Sequence, residues 1–573
     1  MVKKYALLLA IIWLFVPSPL YSQDRLQSGY DSIFNKWGEI YFKFNVTSEV
    51  ELNQLTRIIS IDNYSDHTVT AYASRKQFTD FLAYGYKVSV LPNPGGLLSE
   101  KELSPDPATR SGKGALVWNF YPTYQQYIDT MFYFASAFPL LCRLDTIGTS
   151  VQGRLILALK ISDNVNVEEA EPEFFYTSSI HGDETTGYIL MLHLIDSLLT
   201  TYDVSPRITG LINNTEIYIN PLANPDGTYH GGNNSVSGAV RDNANGYDLN
   251  RNFPDPAGTY TGPRQKETLA FMNFAGKHHF VMSANFHGGA EVFNYPWDCW
   301  TRLTADDDWW YFAGREYADT VHKFSPASYF NLMNNGVTNG AEWYIIYGGR
   351  QDYMNYYRGC REVTLEVSNT KLLPSNQLIK LWNYNHNSLL NYLERVNYGL
   401  QGVITDTVTG EPIDSVKVYI SGFDKDNSWV YSKLPSGFYT RPIFDGSYNV
   451  TFSATGYFPK TLDITVTNYS TTIMDVQLKP ITYGISEEKS TLSGLVCPNP
   501  NGGQFTFFIP GVEPGEVALE VMNLLGKPVF KDRFYREKGM NSVKLDIGEN
   551  PPGIYFISIL FNKDLYLEKI LVR

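Results

Sequence analysis

Two hydrophobic rhythms divide the chain. Between about residues 115 and 397, strand-like runs at 172–180, 215–221, 280–286 and 362–367 alternate with stretches of helical spacing at 185–199 and from about 375 to 396. A short run of this length, rich in aromatic and β-branched residues, reads as a strand, and an i, i+3, i+4 pattern reads as a helix. Their alternation predicts an α/β fold, a central sheet flanked by helices. From about 400 to 480 the rhythm shortens. Runs at 402–405, 415–420, 446–452 and 460–466 alternate apolar with polar and are punctuated by Gly, Pro, Asp and Asn. That spacing predicts a small all-β sandwich.

The two ends carry further modules. Residues 24–110 read as a small α/β unit: strands at 39–46, 60–73 and 87–91, helices at 51–59 and 75–84, then a Pro- and Gly-containing linker from 92 to 114. Such a module ahead of a larger domain is either a pro-segment that covers it or a permanent accessory domain. A polar linker follows the sandwich at 481–492, and a second β-module occupies about 493–573.

At 573 residues the chain exceeds one core and implies about three to five domains. With 43% hydrophobic and 18% charged residues it reads as globular, and 41 Tyr and 33 Phe suit β-rich modules. The net charge of -13 argues against nucleic acid as a partner, because a phosphate backbone requires a basic patch. Lys3 and Lys4, then the short apolar run 5–16 and the Pro- and Ser-containing residues up to 22, read as a signal peptide over 1–22, so the chain is expected to be exported. Cys142, Cys299, Cys360 and Cys497 could form disulfides or remain buried thiols; no Cys-x-x-Cys pair exists to hold zinc through thiolates.

The local chemistry centres on His181-Gly-Asp-Glu184, which follows the apolar run ending at Ile180 and precedes a helix. Imidazole and carboxylate suit Zn²⁺, and a catalytic zinc takes three protein ligands. By itself His-x-x-Glu is weak. His287 directly follows the 280–286 run, Glu366 lies near the end of 362–367, and Asp248-Leu-Asn-Arg-Asn252 follows the Asn224-Pro-Asp-Gly227 turn. Ligands in open α/β sheets bind at the carboxyl ends of strands, so these groups can converge. His278 and His279 precede the strand and read as structural, as does His193 within an apolar helix. Glu362 shares a strand face with Glu366 and is the weaker candidate.

The segment from about Val117 to Val396 resembles the zinc metallocarboxypeptidase family, the carboxypeptidase A, B and N/E lineage, and most of all its N/E branch. The likeness rests on Gly148-Thr-Ser-Val-Gln-Gly-Arg154, His181-Gly-Asp-Glu184, Asn224-Pro-Asp-Gly227, Arg241, Asp248-Leu-Asn-Arg-Asn-Phe-Pro254, His287-Gly-Gly289, Tyr344-x-x-x-Gly-Gly349 and Thr364-Leu-Glu366, in that order. The resemblance implies a mixed central sheet, one Zn²⁺ held by His181, Glu184 and His287, and Asp248 orienting His181. It implies Arg241 at the scissile carbonyl, Asn250 and Arg251 on the terminal carboxylate, Tyr344 closing over the substrate, and Glu366 as general base. The expected reaction is removal of single residues from peptide carboxyl ends.

Asp298 and Gln351 match side-chain pocket positions of the N/E branch, which implies a preference for C-terminal Lys or Arg; the alternative is an aromatic pocket of Trp297 and Trp300 with Asp298 on a surface turn. Residues 400–480 resemble the transthyretin-like domain of the same branch through Gly402-Val-Ile-Thr-Asp406, Thr409-Gly-Glu-Pro-Ile413 and Gly446-Ser-Tyr-Asn-Val450. The end resembles the C-terminal sorting domain of bacterial type IX secretion through Cys497-Pro-Asn-Pro500, Gly553-Ile-Tyr-Phe-Ile557 and Lys569-Ile-Leu-Val-Arg573. That likeness implies secretion machinery as a partner and a route through the periplasm and across the outer membrane. The rival functions are a zinc amidase on cell-wall peptides and a non-catalytic surface-binding protein.

Overall fold

Residues 66 and 67 break what the sequence pattern joins. The run 60–73, expected as one strand, is a hairpin of β2 (Ser60–Ser65) and β3 (Thr68–Ser74), with β1 being Glu39–Asn45 and β4 the short Ser89–Val90. Asp66 and His67 turn the chain with φ of 47° and 61°. Asp, Asn and His enter this left-handed region more readily than other non-glycine residues, which is why no Gly marks the turn. The sheet order is β2-β3-β1-β4, so β2 is an edge strand. Helices Glu49–Leu55 and Arg75–Leu82 cover one face, around Phe42, Phe44, Phe78 and Phe81.

The computed structural model describes residues 29–104, 118–259, 262–481, 495–511, 514–561 and 564–573. The signal-peptide segment and the linker cores at 105–117 and 482–494 lie outside the described residues. The chain forms two compact units, Met1–Pro480 and Ile481–Arg573. Among the described residues no helix is long and apolar enough to cross a membrane.

The large sheet of the first unit contains β5 (Cys142–Thr149), β6 (Leu155–Ile161), β7 (Glu173–Ser178), β8 (Glu216–Asn220), β9 (Phe280–His287), β10 (Ala290–Tyr295), β11 (Val337–Asn339) and β12 (Arg361–Ser368). Its order is β11-β10-β12-β9-β7-β8-β6-β5. The centre, β12-β9-β7-β8, is parallel, while β10 and β6 run antiparallel to it. This is the mixed sheet with flanking helices that the sequence implied. Every residue of β7 is buried, because alternate side chains enter different layers. Phe174 and Tyr176 join the core under helices Thr186–Thr201 and Leu378–Glu394, and Phe175 packs on the other face with Phe274 and Phe280. Truncating such a Phe to Ala costs about 3–5 kcal/mol. His278 and Glu173 pair at the opposite end of the sheet (3.1 Å), and His193 stacks on Trp382 with ring centroids 3.8 Å apart, so both histidines are structural.

Two four-stranded sheets make the sandwich at 399–478, around Leu400, Val418, Val450 and Val476. The second unit has a three-stranded and a four-stranded sheet sharing one core of Phe507, Val517, Ile557 and Ile570. The four cysteines form no disulfide; Cys142, Cys299 and Cys360 are buried thiols and Cys497 is exposed.

Candidate metal centre and cleft

The parallel strands deliver their chain ends to one edge of the sheet, and the candidate residues meet there. Past the end of β7, Ser179 takes φ 56° and its hydroxyl donates to the Glu184 carbonyl (3.0 Å), curling 181–184 into a tight turn. Gly182 is required inside that curl: a Cβ there would fall 2.2 Å from the Gly227 backbone. His287 ends β9, and in the β9–β12 ladder it sits directly beside Glu366.

Three electron-rich atoms converge. His181 Nδ1 lies 3.0 Å from Glu184 Oε2, His287 Nδ1 lies 2.9 Å from the same oxygen, and the two ring nitrogens are 3.1 Å apart. Asp248 Oδ1 accepts from His181 Nε2 (3.0 Å), which leaves the Nδ1 lone pair facing the other two atoms. Bonds of about 2.0–2.2 Å from a tetrahedral zinc would place its ligands about 3.3 Å apart, close to the spacing seen. Two imidazoles and one carboxylate, all buried, are a donor set that fits catalytic zinc.

Charge around the trio is dense. Burial opposes ionisation of Glu184, but His181, Lys371 and His287 outweigh it and hold its carboxyl well below the ordinary range. Burial likewise opposes the Asp248 charge, and Arg241 and His181 hold it low. Burial pushes His287 down to about 4. Glu366 moves the other way: burial, then the Glu184 charge, raises its carboxyl well above the usual value. The Glu366 residue is partly exposed, but its Oε2 is enclosed and lacks a hydrogen-bond partner.

Arg241 donates to Asp248 through Nε (3.0 Å) and to Glu184 through Nη1 (3.3 Å). Two motifs without an assigned role turn out to support its loop. Asn224 Nδ2 donates to the carbonyls of Arg241 and Asp242 (3.3 Å each), and Asp226 accepts from Ser150 Oγ, Gln152 N and Arg154 Nη1 at 2.7–2.8 Å. Asn250 is anchored through its oxygen by Arg350 N (2.8 Å), and Asn250 and Arg251 border a cavity lined also by His181, Glu184, His287, Arg241 and Glu366.

Asp298 also borders that cavity and is 2% exposed, so it is not a surface-turn residue. It fits because Gly340 has no side chain; a Cβ there would lie 1.9 Å from Asp298 Oδ1. Gln351 Nε2 donates to Asp298 Oδ1 (3.0 Å), which puts Gln351 behind the carboxylate. Burial and the neighbouring Asp352 raise the Asp298 carboxyl well above the ordinary range.

The N-terminal module covers this cleft. Arg251 Nη2 donates to the Ile61 carbonyl (3.1 Å) and Tyr344 Oη to the same oxygen (3.4 Å). Asp62 Oδ1 lies 2.7 Å from Lys371 Nζ and 3.6 Å from Arg241 Nη1. Tyr72 donates to Asp183 (2.8 Å), and Glu39 accepts from the backbone N–H groups of Arg241 and Asp242. Tyr344 packs in the module's own core. The free space left among these groups is about 30 Å³, which holds water and not a peptide residue. Asp62, Glu39, Asp183 and Lys371 were not singled out from sequence. Only Asp183 carried a signal, its place inside His181-Gly-Asp-Glu184.

With this geometry in view, the comparisons are specific. A zinc carboxypeptidase family model matches residues 127–388, a carboxypeptidase regulatory-like domain 399–479, and a secretion system C-terminal sorting domain 495–573. Carboxypeptidase M of Mus musculus is 35% identical over 345 residues, covering 56% of this chain and 75% of its own. The chain belongs to the zinc carboxypeptidase family. Carboxypeptidase D of Anas platyrhynchos is 36% identical over 350 residues, 58% of this chain and 25% of its own length, so this chain spans a quarter of that relative. Among solved structures, carboxypeptidase A from Helicoverpa armigera superposes with a TM-score of 0.50 at 19% identity, over 63% of this chain and 97% of its own, a likeness of fold.

Proposed function

We propose that the chain is an exported carboxypeptidase that hydrolyses the last peptide bond of peptides and proteins and prefers C-terminal Lys or Arg. The observation that carries this reading is the enclosure of one cavity by His181, Glu184 and His287 together with Glu366, Arg241, Arg251 and Asp298. Zinc bound by the two imidazoles and the Glu184 carboxylate would supply Lewis acidity, polarising a carbonyl and acidifying water. Arg251, with the amide of Asn250, binds the terminal carboxylate; a guanidinium suits that partner because its fork bonds both oxygens. Arg241 donates to the carbonyl oxygen as negative charge builds on it. Glu366 takes a proton from the attacking water and returns it to the leaving amine. Asp298 faces the departing side chain, where a substrate cation would offset its buried charge.

The carboxylate clamp favours peptide ends over the rival cell-wall amidase reading, and an intact set of donors and base favours catalysis over a binding role. The sorting-domain match supports export through type IX machinery to the surface or beyond. The N-terminal module is proposed to be an inhibitory cover, since Ile61 and Asp62 occupy the partners assigned to substrate. Release of a single C-terminal Arg by zinc-loaded protein cut between residues 104 and 118, abolished by Glu366→Gln, tests the proposal. Failure of every C-terminus to be released would remove it.

A further inference from the structure

Lys371 is a buried cation, 5% exposed, that the reaction above does not use. Its Nζ donates to Glu184 Oε1 at 2.6 Å, to the Gly288 carbonyl at 3.2 Å, and faces Asp62 Oδ1 at 2.7 Å. Its own carbonyl accepts from Thr185 N at 3.1 Å. One residue thus grips the turn that carries His181 and Glu184 from two sides, and also the turn after His287. Gly289, with φ 122°, opens the space that the ammonium fills; a Cβ there would lie 3.3 Å from Nζ.

The two oxygens of Glu184 are divided by this contact. Oε1 is turned to Lys371 and Arg241, and Oε2 to the ring nitrogens of His181 and His287 and to Gly288 N. A free carboxylate would sample both oxygens and other rotamers. A charge-assisted bond of 2.6 Å fixes one of them. The geometry points to Lys371 as a positioning residue of the metal centre that acts through Glu184: it selects which Glu184 oxygen faces the cation. The inference rests on the zinc-site reading above. Partners that orient metal ligands typically contribute about 10–100-fold in metal affinity.

The test is a zinc titration of the full chain against a chromogenic chelator, with a double-mutant cycle. Lys371→Met is expected to bind zinc about 10–100-fold more weakly than the parent. In a Glu184→Ala background the same change is expected to cost less than about threefold, since the residue acts through Glu184. Far-UV circular dichroism of the metal-free proteins checks folding. If Lys371→Met does not fold, Lys371→Gln, which keeps part of the stem and a hydrogen-bond donor but loses the charge, carries the test with the same expected loss, and parent-like zinc binding by it overturns the inference. A folded Lys371→Met variant that binds zinc as the parent does overturns the inference, as does an equal loss with and without Glu184. A parent that binds no zinc overturns this inference and the site reading together. A parent that binds zinc but releases no residue removes only the proposed reaction.

Discussion

Replacing Asp62 with Asn should awaken the uncut chain. The Asp62 carboxylate accepts from Lys371 at 2.7 Å and from Tyr41 Oη at 3.0 Å, and lies 3.6 Å from Arg241. Its side chain is 8% exposed, so solvent screens these contacts little. Breaking a buried pair costs about 3–5 kcal/mol when the remaining charge is stranded. Lys371 keeps Glu184 and the Gly288 carbonyl, and Arg241 keeps Asp248. The loss should therefore fall to about 2–3 kcal/mol, roughly 30–150-fold in the equilibrium between covered and open cleft. The assay is the initial rate of Arg release from a short peptide by uncut parent, uncut Asp62→Asn, and both proteins cut between residues 104 and 118. The expected result is a weak parent, a variant faster by about that factor, and equal rates once cut. An uncut parent as fast as the cut one would refute the inhibitory cover and leave a permanent accessory domain. An uncut variant no faster than the parent, with the cut protein active, would refute the role given to Asp62.

Other outcomes follow from the same contacts. Glu366→Gln should lower kcat by about 10²–10⁴ while a peptide competitor still binds, checked by inhibition constants. Asp298→Asn should cost Arg-ended peptides at least about 2 kcal/mol, or roughly 30-fold in kcat/KM, and leave Phe-ended peptides nearly unchanged; equal turnover of the two by the parent would discard Asp298 as selector. Acid should weaken the junction between the sheet and the 399–478 sandwich through Glu173, which Lys433 Nζ meets at 2.6 Å. Burial opposes this carboxylate, but His278 and Lys433 outweigh it and hold it at about 2. Its folded value lies below the unfolded one of about 4.3, so its contribution of about 3 kcal/mol is present above that pH and lost as pH falls towards 2. The slope of Tm against pH in that window should flatten in Lys433→Met, and an unchanged slope would count against the pair.

The sequence carried much of this because the relevant strands are buried on both faces. Glu173–Ser178 and Phe280–His287 carry short apolar runs, Arg361–Ser368 alternates Val and Leu with polar residues, and His181, His287 and Glu366 lie at or just past their ends. Position relative to a strand end is a local property, so it can be read from the chain. The hairpin inside 60–73 was hidden because Asp66 and His67 make a left-handed turn without glycine. The partners of Asp62, Glu39 and Lys371 were hidden for a different reason. Each is a charged residue that no motif claims, and its ion pairs and hydrogen bonds arise only when two distant parts of the chain meet. Gln351 was read as lining the pocket, and its place behind Asp298 depends on how helix Arg350–Arg358 docks, which no spacing reveals.

The most direct measurement is end-group release by mass spectrometry. Zinc-loaded protein, cut between residues 104 and 118, is incubated with peptides ending in Arg, Lys, Phe, Glu and D-Ala, beside a Glu366→Gln sample. The account predicts loss of one Arg or Lys residue per step, slower or no loss of the others, and none with Glu366→Gln. Release of D-Ala alone, or of nothing from protein shown to hold one zinc, would contradict it.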